Sequence, residues 1–305
     1  MTPPRLGIGI IGAGRVGAVL GAAWRGQGHG IVGVSAVSDA SRERAAALLD
    51  GVPVLDPRTI ASRAEVLVLA VPDDALADLA RGLSATGSVP GGQLVVHTSG
   101  RHGPDVLAPL EDAGCLVGAL HPAMTFTGTE ADLPRLIGCP MGVTAEPGTL
   151  PVVHALAVEL GGSPVTIAPA DRELYHASLA HAANHLVVLV DQAREALRLI
   201  GIEDPGGYLT PLLRAALEES LQRGAHALTG PVVRGDAGTV RAHLDAFAEA
   251  DQGIRTTPGD LAPTYRALAR AALARADLPE DAAARIRALL DDRPDTAPTA
   301  PEAQP

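Results

Sequence analysis

Six residues near the start of the chain, Gly12-Ala13-Gly14-Arg15-Val16-Gly17, follow the apolar run Leu6 to Ile11 and lead into a helix-like stretch, Val19 to Trp24. In such a turn the first glycine allows the tight bend, the second lets backbone approach a pyrophosphate, and the third lets helix pack closely on strand. The helix start offers free N–H groups and a positive dipole end to phosphates. The chain holds 34 glycines, so G-x-G-x-x-G alone says little. Placed between a strand and a helix, it predicts a dinucleotide site built from Gly12, Ala13, Gly14, Arg15, Val16 and Gly17.

A chain of 305 residues has room for two domains and a sizeable core. Hydrophobic residues make up 47%, but no apolar stretch reaches the roughly 18 residues of a membrane span. Met1 to Arg5 runs into the first strand without a signal-peptide layout, so a cytoplasmic protein is expected. The net charge of -11 argues against nucleic-acid or membrane partners. Cys115 and Cys139 show neither metal-ligand spacing nor a disulfide framework, and both read as small buried hydrophobes. All 24 basic residues are arginine. With no lysine, neither a Schiff base nor a lysine acid is available.

Apolar runs then alternate with helical patterns. Strands are expected at Ile31 to Val37, Val52 to Leu55, Glu65 to Val71, Gln93 to His97, Leu116 to Leu120 and Val165 to Ile167. Helices are expected at Ser41 to Asp50, Ala75 to Leu83, Pro104 to Ala113 and Leu150 to Leu160. This alternation predicts an α/β Rossmann domain, a doubly wound parallel sheet, over residues 1–168. Only helices follow: Arg172 to Ile200, Gly206 to Leu228, Ala237 to Glu249, Leu261 to Ala276 and Asp281 to Asp291. The first, about 29 residues, would be about 43 Å long. They predict an all-helical domain over 169–291 for substrate binding and dimerisation, then a disordered tail, 292–305, rich in Pro, Ala and Thr.

In an open parallel sheet, ligands sit beyond the carboxyl ends of the strands. Asp39, Ser99 and His121 each stand at or just past such an end. Asp39 lies 27 residues after Gly12, beyond the usual spacing of about 20 for a ribose-binding acid. An acid there favours NAD, whereas Ser41, Arg42 and Arg44 could hold the 2'-phosphate of NADP; a solvated charge run opening a helix is the plain alternative. Ala70, Val71 and Pro72, closing another strand, are also placed against the cofactor. His121 is the leading acid/base candidate, because histidine titrates in the useful range; a loop-turn histidine capping backbone is the plain reading. Ser99 could hydrogen-bond a substrate oxygen or serve as a turn residue.

On the long helix, His181, Asn184 and His185 share a face, with Tyr175, His176 and Ser178 nearby. The i, i+4 histidines lack the glutamate of H-E-x-x-H and an evident third ligand, so no metal is expected. A substrate site using Tyr175 and His181 competes with satisfied core histidines. Between two later helices, Arg234 could clamp a carboxylate, or the segment is a turn with Asp236 as the next N-cap.

These motifs resemble a bacterial family of Rossmann-like proteins with a C-terminal helical domain of unknown function. The resemblance rests on Gly12 to Gly17, Leu69 to Asp74, His97 to Gly100, Leu120 to Phe126, Asn184 to Leu186 and Leu228 to Asp236. More distantly the chain resembles the 6-phosphogluconate dehydrogenase-like superfamily, including prephenate and 3-hydroxyacid dehydrogenases. In the prephenate group a strand-end serine and a later His-Pro pair contact the substrate hydroxyl, and Ser99 and His121 match that order. Asn184-His185-Leu186 corresponds to part of its helix motif, without the second histidine. Hydroxyacid dehydrogenases and ketopantoate reductases use a lysine, for which His121 would substitute here.

The resulting expectation is an NAD(P)-dependent oxidoreductase exchanging hydride with a small oxygenated, carboxylate-bearing substrate in an interdomain cleft. His121 would be the acid/base, Ser99 and Asn184 would orient the oxygen, and His185 would support them. The alternatives are a ketopantoate-type or imine-type reductase, and a non-catalytic dinucleotide sensor. A homodimer through the helical domain is expected, because the long helix and Leu209, Leu212, Leu213, Ala216 and Leu217 carry much apolar surface.

Overall fold

The computed structural model describes residues 5–254 and 259–292. It divides into two compact units that meet in sequence at Ala183 and Asn184. In the first, β1 (Gly7–Ile11), α1 (Arg15–Gly26), β2 (Gly30–Ser35), α2 (Asp39–Leu48), α3 (Pro57–Arg63), β3 (Val66–Leu69) and α4 (Asp73–Ala85) follow in order. Next come β4 (Leu94–His97), α5 (Ala108–Glu111), β5 (Leu116–Pro122), β6 (Pro140–Ala145), α6 (Leu150–Glu159) and β7 (Ser163–Thr166). The seven strands form one sheet in the order β2-β1-β3-β4-β5-β6-β7.

Strands covered on both faces read as continuous apolar runs, since successive side chains enter opposite cores. Ile8, Ile10, Val66 and Val68 pack with Trp24 of α1 in one core. Leu67 and Leu69 enter the other with Ile60 of α3 and Leu76 of α4. The expected α/β architecture is present, with four differences in detail. Val52 to Leu55 makes only a single bridge, Val34 to Val54, instead of a strand. Pro53 lacks an N–H for a ladder, and Asp56 then caps α3, accepting from the N–H groups of Arg58 and Thr59. The sequence pattern does not predict that helix, although Asp-Pro is a helix-start signal. β6 is a further strand beyond those expected; it pairs antiparallel with β5 and parallel with β7, so the last two strands run against the others. Finally, His121 lies within β5 rather than after a strand.

A 28-residue helix, α7 (Arg172–Leu199), crosses the division between units. In the second unit it is followed by α8 (Pro205–Arg223), α9 (Ala237–Gly253), α10 (Leu261–Leu273) and α11 (Glu280–Asp291). Asp204 and Asp236 cap α8 and α9 by accepting from the N–H groups of Gly207 and Thr239. The segment expected as one helix to Leu228 becomes a 3-10 turn from Gly224, which takes a φ of 55°. Val232, Val240, Leu244, Ala269, Ile286 and Leu290 form the core joining α9, α10 and α11. No helix of the described residues is long and apolar enough to cross a membrane. Of the tail expected from 292, residues 293–305 lie outside the described residues.

Candidate cofactor and active site

Two of the three fingerprint glycines are required by the protein itself. Gly12 has a φ of 106°, and a Cβ there would lie 2.4 Å from the Ala70 carbonyl oxygen. A Cβ on Gly17 would lie 2.1 Å from the Gly12 oxygen and 2.8 Å from the Ala70 Cβ. Gly14 is different: its φ is -70°, and the nearest atom to an added Cβ is the Ala70 oxygen at 3.9 Å. Among the described residues beyond its chain neighbours, nothing lies closer to that position.

Gly14 lines a cavity of about 370 Å³, together with Arg15 and Val16 of α1 and Ala70, Val71 and Pro72 after β3. Ser35, at the end of β2, braces the turn: its hydroxyl accepts from the Gly12 N–H at 2.9 Å and its carbonyl from the Ala13 N–H at 2.8 Å. Helix α1 starts at this cavity with no side-chain cap and no acid in its first turn. Its first N–H groups and dipole end therefore favour an anion. The residues present fit a pyrophosphate.

Of the ribose candidates, Asp39 is exposed at the start of α2 and pairs with Arg42 at 2.9 Å. Ser38, not Asp39, is the cap. Ser41 is buried, and its hydroxyl donates to the Ser38 carbonyl at 2.7 Å. Arg44 reaches back to the Ala13 carbonyl at 3.2 Å, bringing a cation to the fingerprint turn.

The same cavity is also lined by Thr98, Ser99 and Gly100 after β4, His121 and Pro122 of β5, and His176 of α7. The Ser99 oxygen accepts from the N–H groups of Arg101 at 3.2 Å and His102 at 3.1 Å, so it holds the turn and keeps its own proton to donate. Fully buried His97 is structural: its Nε2 bonds the Gly103 carbonyl at 3.0 Å and its Nδ1 accepts from the Ser99 N–H at 3.2 Å. Burial pushes its pKa down to about 3.

His121 Nδ1 lies 2.9 Å from the Tyr175 hydroxyl. Its Nε2 edge approaches Gly100 so closely that a Cβ there would lie 2.9 Å away. Burial, then the charges of Arg172 and His176, lower the His121 pKa to about 4, with Asp73 opposing. The imidazole is thus neutral at pH 7, unlike the freely titrating acid/base expected of it. Burial raises the Tyr175 pKa, against the Arg172 charge and the Gly142 backbone N–H.

Arg172, the first residue of α7, was not singled out in the sequence. Its side chain is buried, donating to the Gly142 carbonyl at 3.3 Å, to the Thr144 hydroxyl at 3.2 Å and to the Ser99 carbonyl. A charged residue opening a long helix ordinarily signals a solvated end, so no sequence pattern marked it. His181 is exposed on α7. Asn184 and His185, exposed on α7, and exposed Arg234 belong to the second unit. Near Arg234, Asp236 is the N-cap of α9, and Thr239 holds its carboxyl below the usual range.

Residues 1–122 match the Rossmann-like domain. Residues 139–272 match a domain of unknown function, DUF2520. This is the pairing the sequence motifs resembled. No curated protein matches the sequence. Among solved structures, a provisionally assigned NADP oxidoreductase from Bacteroides fragilis shares 22% identity over 88% of this chain and 98% of its own, with a TM-score of 0.74. An imine reductase from Myxococcus stipitatus in complex with NADP+ shares 20% identity over 87% of this chain and 94% of its own, with a TM-score of 0.60. A reductive aminase from Aspergillus terreus in complex with NADPH and ethyl levulinate shares 14% identity over 93% and 99%, also at 0.60. At these identities the likeness establishes the fold.

Proposed function

We propose that this protein is an NADP- or NAD-dependent reductase acting on a small carbonyl or imine compound. The observation that carries the reading is the continuity of one cavity, from the vacant space at Gly14 to the imidazole of His121. The turn at Gly12 to Gly17 binds the pyrophosphate, and Arg42 and Arg44 supply positive charge for a 2'-phosphate. A bound reduced nicotinamide supplies a hydride. Ser99 and His121 hold the substrate's oxygen or nitrogen by donated hydrogen bonds and deliver the proton. The NADP-bound neighbours named above favour a reductase, and the imine reductase and reductive aminase extend the substrate class from C=O to C=N.

His121→Asn tests this. It keeps cofactor affinity and thermal stability while lowering turnover about 10²-fold or more, the size of a general acid/base contribution. Unchanged turnover on a compound the wild type reduces removes His121 from the chemistry. Wild-type protein that binds NADPH but oxidises it with no member of a 2-oxo acid, 3-oxo acid and cyclic imine panel is instead a dinucleotide sensor.

The second unit is also proposed to form a homodimer. Val187 is 68% exposed, Tyr208 65%, Leu212 66% and Leu221 79%. This is more apolar surface on two consecutive helices than a monomer ordinarily leaves to water.

A further inference from the structure

The reductase reading places a proton donor at His121, but a neutral imidazole yields its only N–H proton readily only if the other nitrogen gains one at the same time. The structure supplies that second proton. Tyr175 Oη lies 2.9 Å from Nδ1, and the Nε2 edge, on the other side of the ring, approaches Gly100 at the cavity lining.

Oη packs against the backbone of Gly142, and only glycine allows this approach, because a Cβ there would lie 2.7 Å from Oη. The direction of the hydrogen bond follows from the two groups. A phenol O–H is a far stronger acid than the N–H of a neutral imidazole, and the imidazole nitrogen is the better acceptor, so the phenol proton points to Nδ1. His121 is then the Nε2–H tautomer, with its proton at the cavity.

Arg172 completes the arrangement. The acceptors its guanidinium meets are uncharged: two carbonyls and a hydroxyl. Its Nε–H is buried without a partner, and its central carbon sits 5.7 Å from the centre of the Tyr175 ring. A buried cation with only neutral acceptors is costly, and it stabilises negative charge that arrives nearby.

We infer that Tyr175, His121 and Arg172 form a proton relay: His121 Nε2–H protonates the substrate heteroatom, Nδ1 takes the Tyr175 proton, and Arg172 holds the resulting tyrosinate. This rests on the reductase reading above. The balance is as follows. Carbon of the C=O or C=N group gains the hydride, and the π electron pair moves to oxygen or nitrogen and accepts the Nε2 proton. His121 ends neutral as the Nδ1–H tautomer, and Tyr175 carries the negative charge. Water entering the cavity then reprotonates Nε2 as Nδ1 returns its proton to the phenolate. A permanently charged iminium needs hydride alone, so the relay serves ketones, aldehydes and neutral imines.

Two measurements on the full chain test this. In the first, histidine-selective 15N NMR without cofactor, with His121 assigned through His121→Asn, shows the Nε2–H tautomer at pH 7 and a displaced Nδ1 resonance in Tyr175→Phe. A Nδ1–H tautomer means the imidazole donates to the phenol, and the relay is overturned. In the second, Tyr175→Phe and wild type are given NADPH with 4-oxopentanoate and with 1,2-dimethyl-1-pyrrolinium. The variant reduces the ketone about 10²-fold more slowly than wild type and the iminium within twofold of it. Equal losses on both make Tyr175 a positioning residue, and no loss on either removes it from the chemistry; each result overturns the relay. If wild-type protein reduces neither compound nor any member of the wider panel, the reductase reading fails, and the NMR result still decides the order of the hydrogen bonds.

Discussion

Replacing Gly14 separates what the fold needs from what the ligand needs. Gly14→Ala places a Cβ 3.9 Å from its nearest neighbour, within ordinary contact distance, at a φ open to any residue. The cost to folding is the preference of a helix N-cap for glycine over alanine, about 0.5–1 kcal/mol, or roughly 3 °C in Tm at most for a unit of this size. Gly17→Ala, three positions on, forces a Cβ to 2.1 Å from a backbone oxygen. That atom cannot swing aside, so overpacking costs about 2–3 kcal/mol or more, equivalent to roughly 5–10 °C. For binding, a side chain at Gly14 separates the phosphates from the N–H groups opening α1. Charge-assisted hydrogen bonds contribute about 1.5–3 kcal/mol each, so loss of two raises Kd by roughly 100-fold or more. Thermal unfolding and NADPH fluorescence titration read the two effects separately, with Gly14→Val added as the bulkier blocker. Equal NADPH affinity in wild type and Gly14→Val would sink the cofactor assignment, and a Gly14→Ala protein as unstable as Gly17→Ala would show that the space at Gly14 is not open.

Stability falls on mild acidification. Unfolded histidines take up protons near pH 6.5, whereas folded His97 and His121 resist until about 3 and about 4. Stability from these groups is therefore complete above pH 6.5 and declines below it, by about 1.4 kcal/mol per pH unit for each histidine in mid-window. Urea unfolding at pH 7 and pH 5 measures this; His121→Asn removes one of the two contributions, and identical stabilities at both pH values contradict the burial argument. Light scattering at micromolar concentration tests the dimer, and a mass near the 31.0 kDa of one chain refutes it.

What the sequence by itself determined was local. Gly12 to Gly17 declared its turn because the bend and the helix entry are set by adjacent residues, whereas the close packing that requires two of its glycines is against Ala70 after β3. The long helix from Arg172, its successors and the Asp236 cap were legible for the same reason, since capping and 3.6-residue periodicity act within a few turns. Strands buried on both faces showed as apolar runs, but β6, with Pro140 and Gly142 in six residues, has no such run and exists because β5 offers it an edge. The tertiary structure alone decided the surroundings of His121. Its titration is set first by burial and then by the charge of Arg172 from another element, and its partner Tyr175 stands 54 residues away. Gly142, inconspicuous in the sequence, admits the phenol only because β6 lies beside β5. Burial and charge act through space between residues distant along the chain, so no spacing rule reveals them.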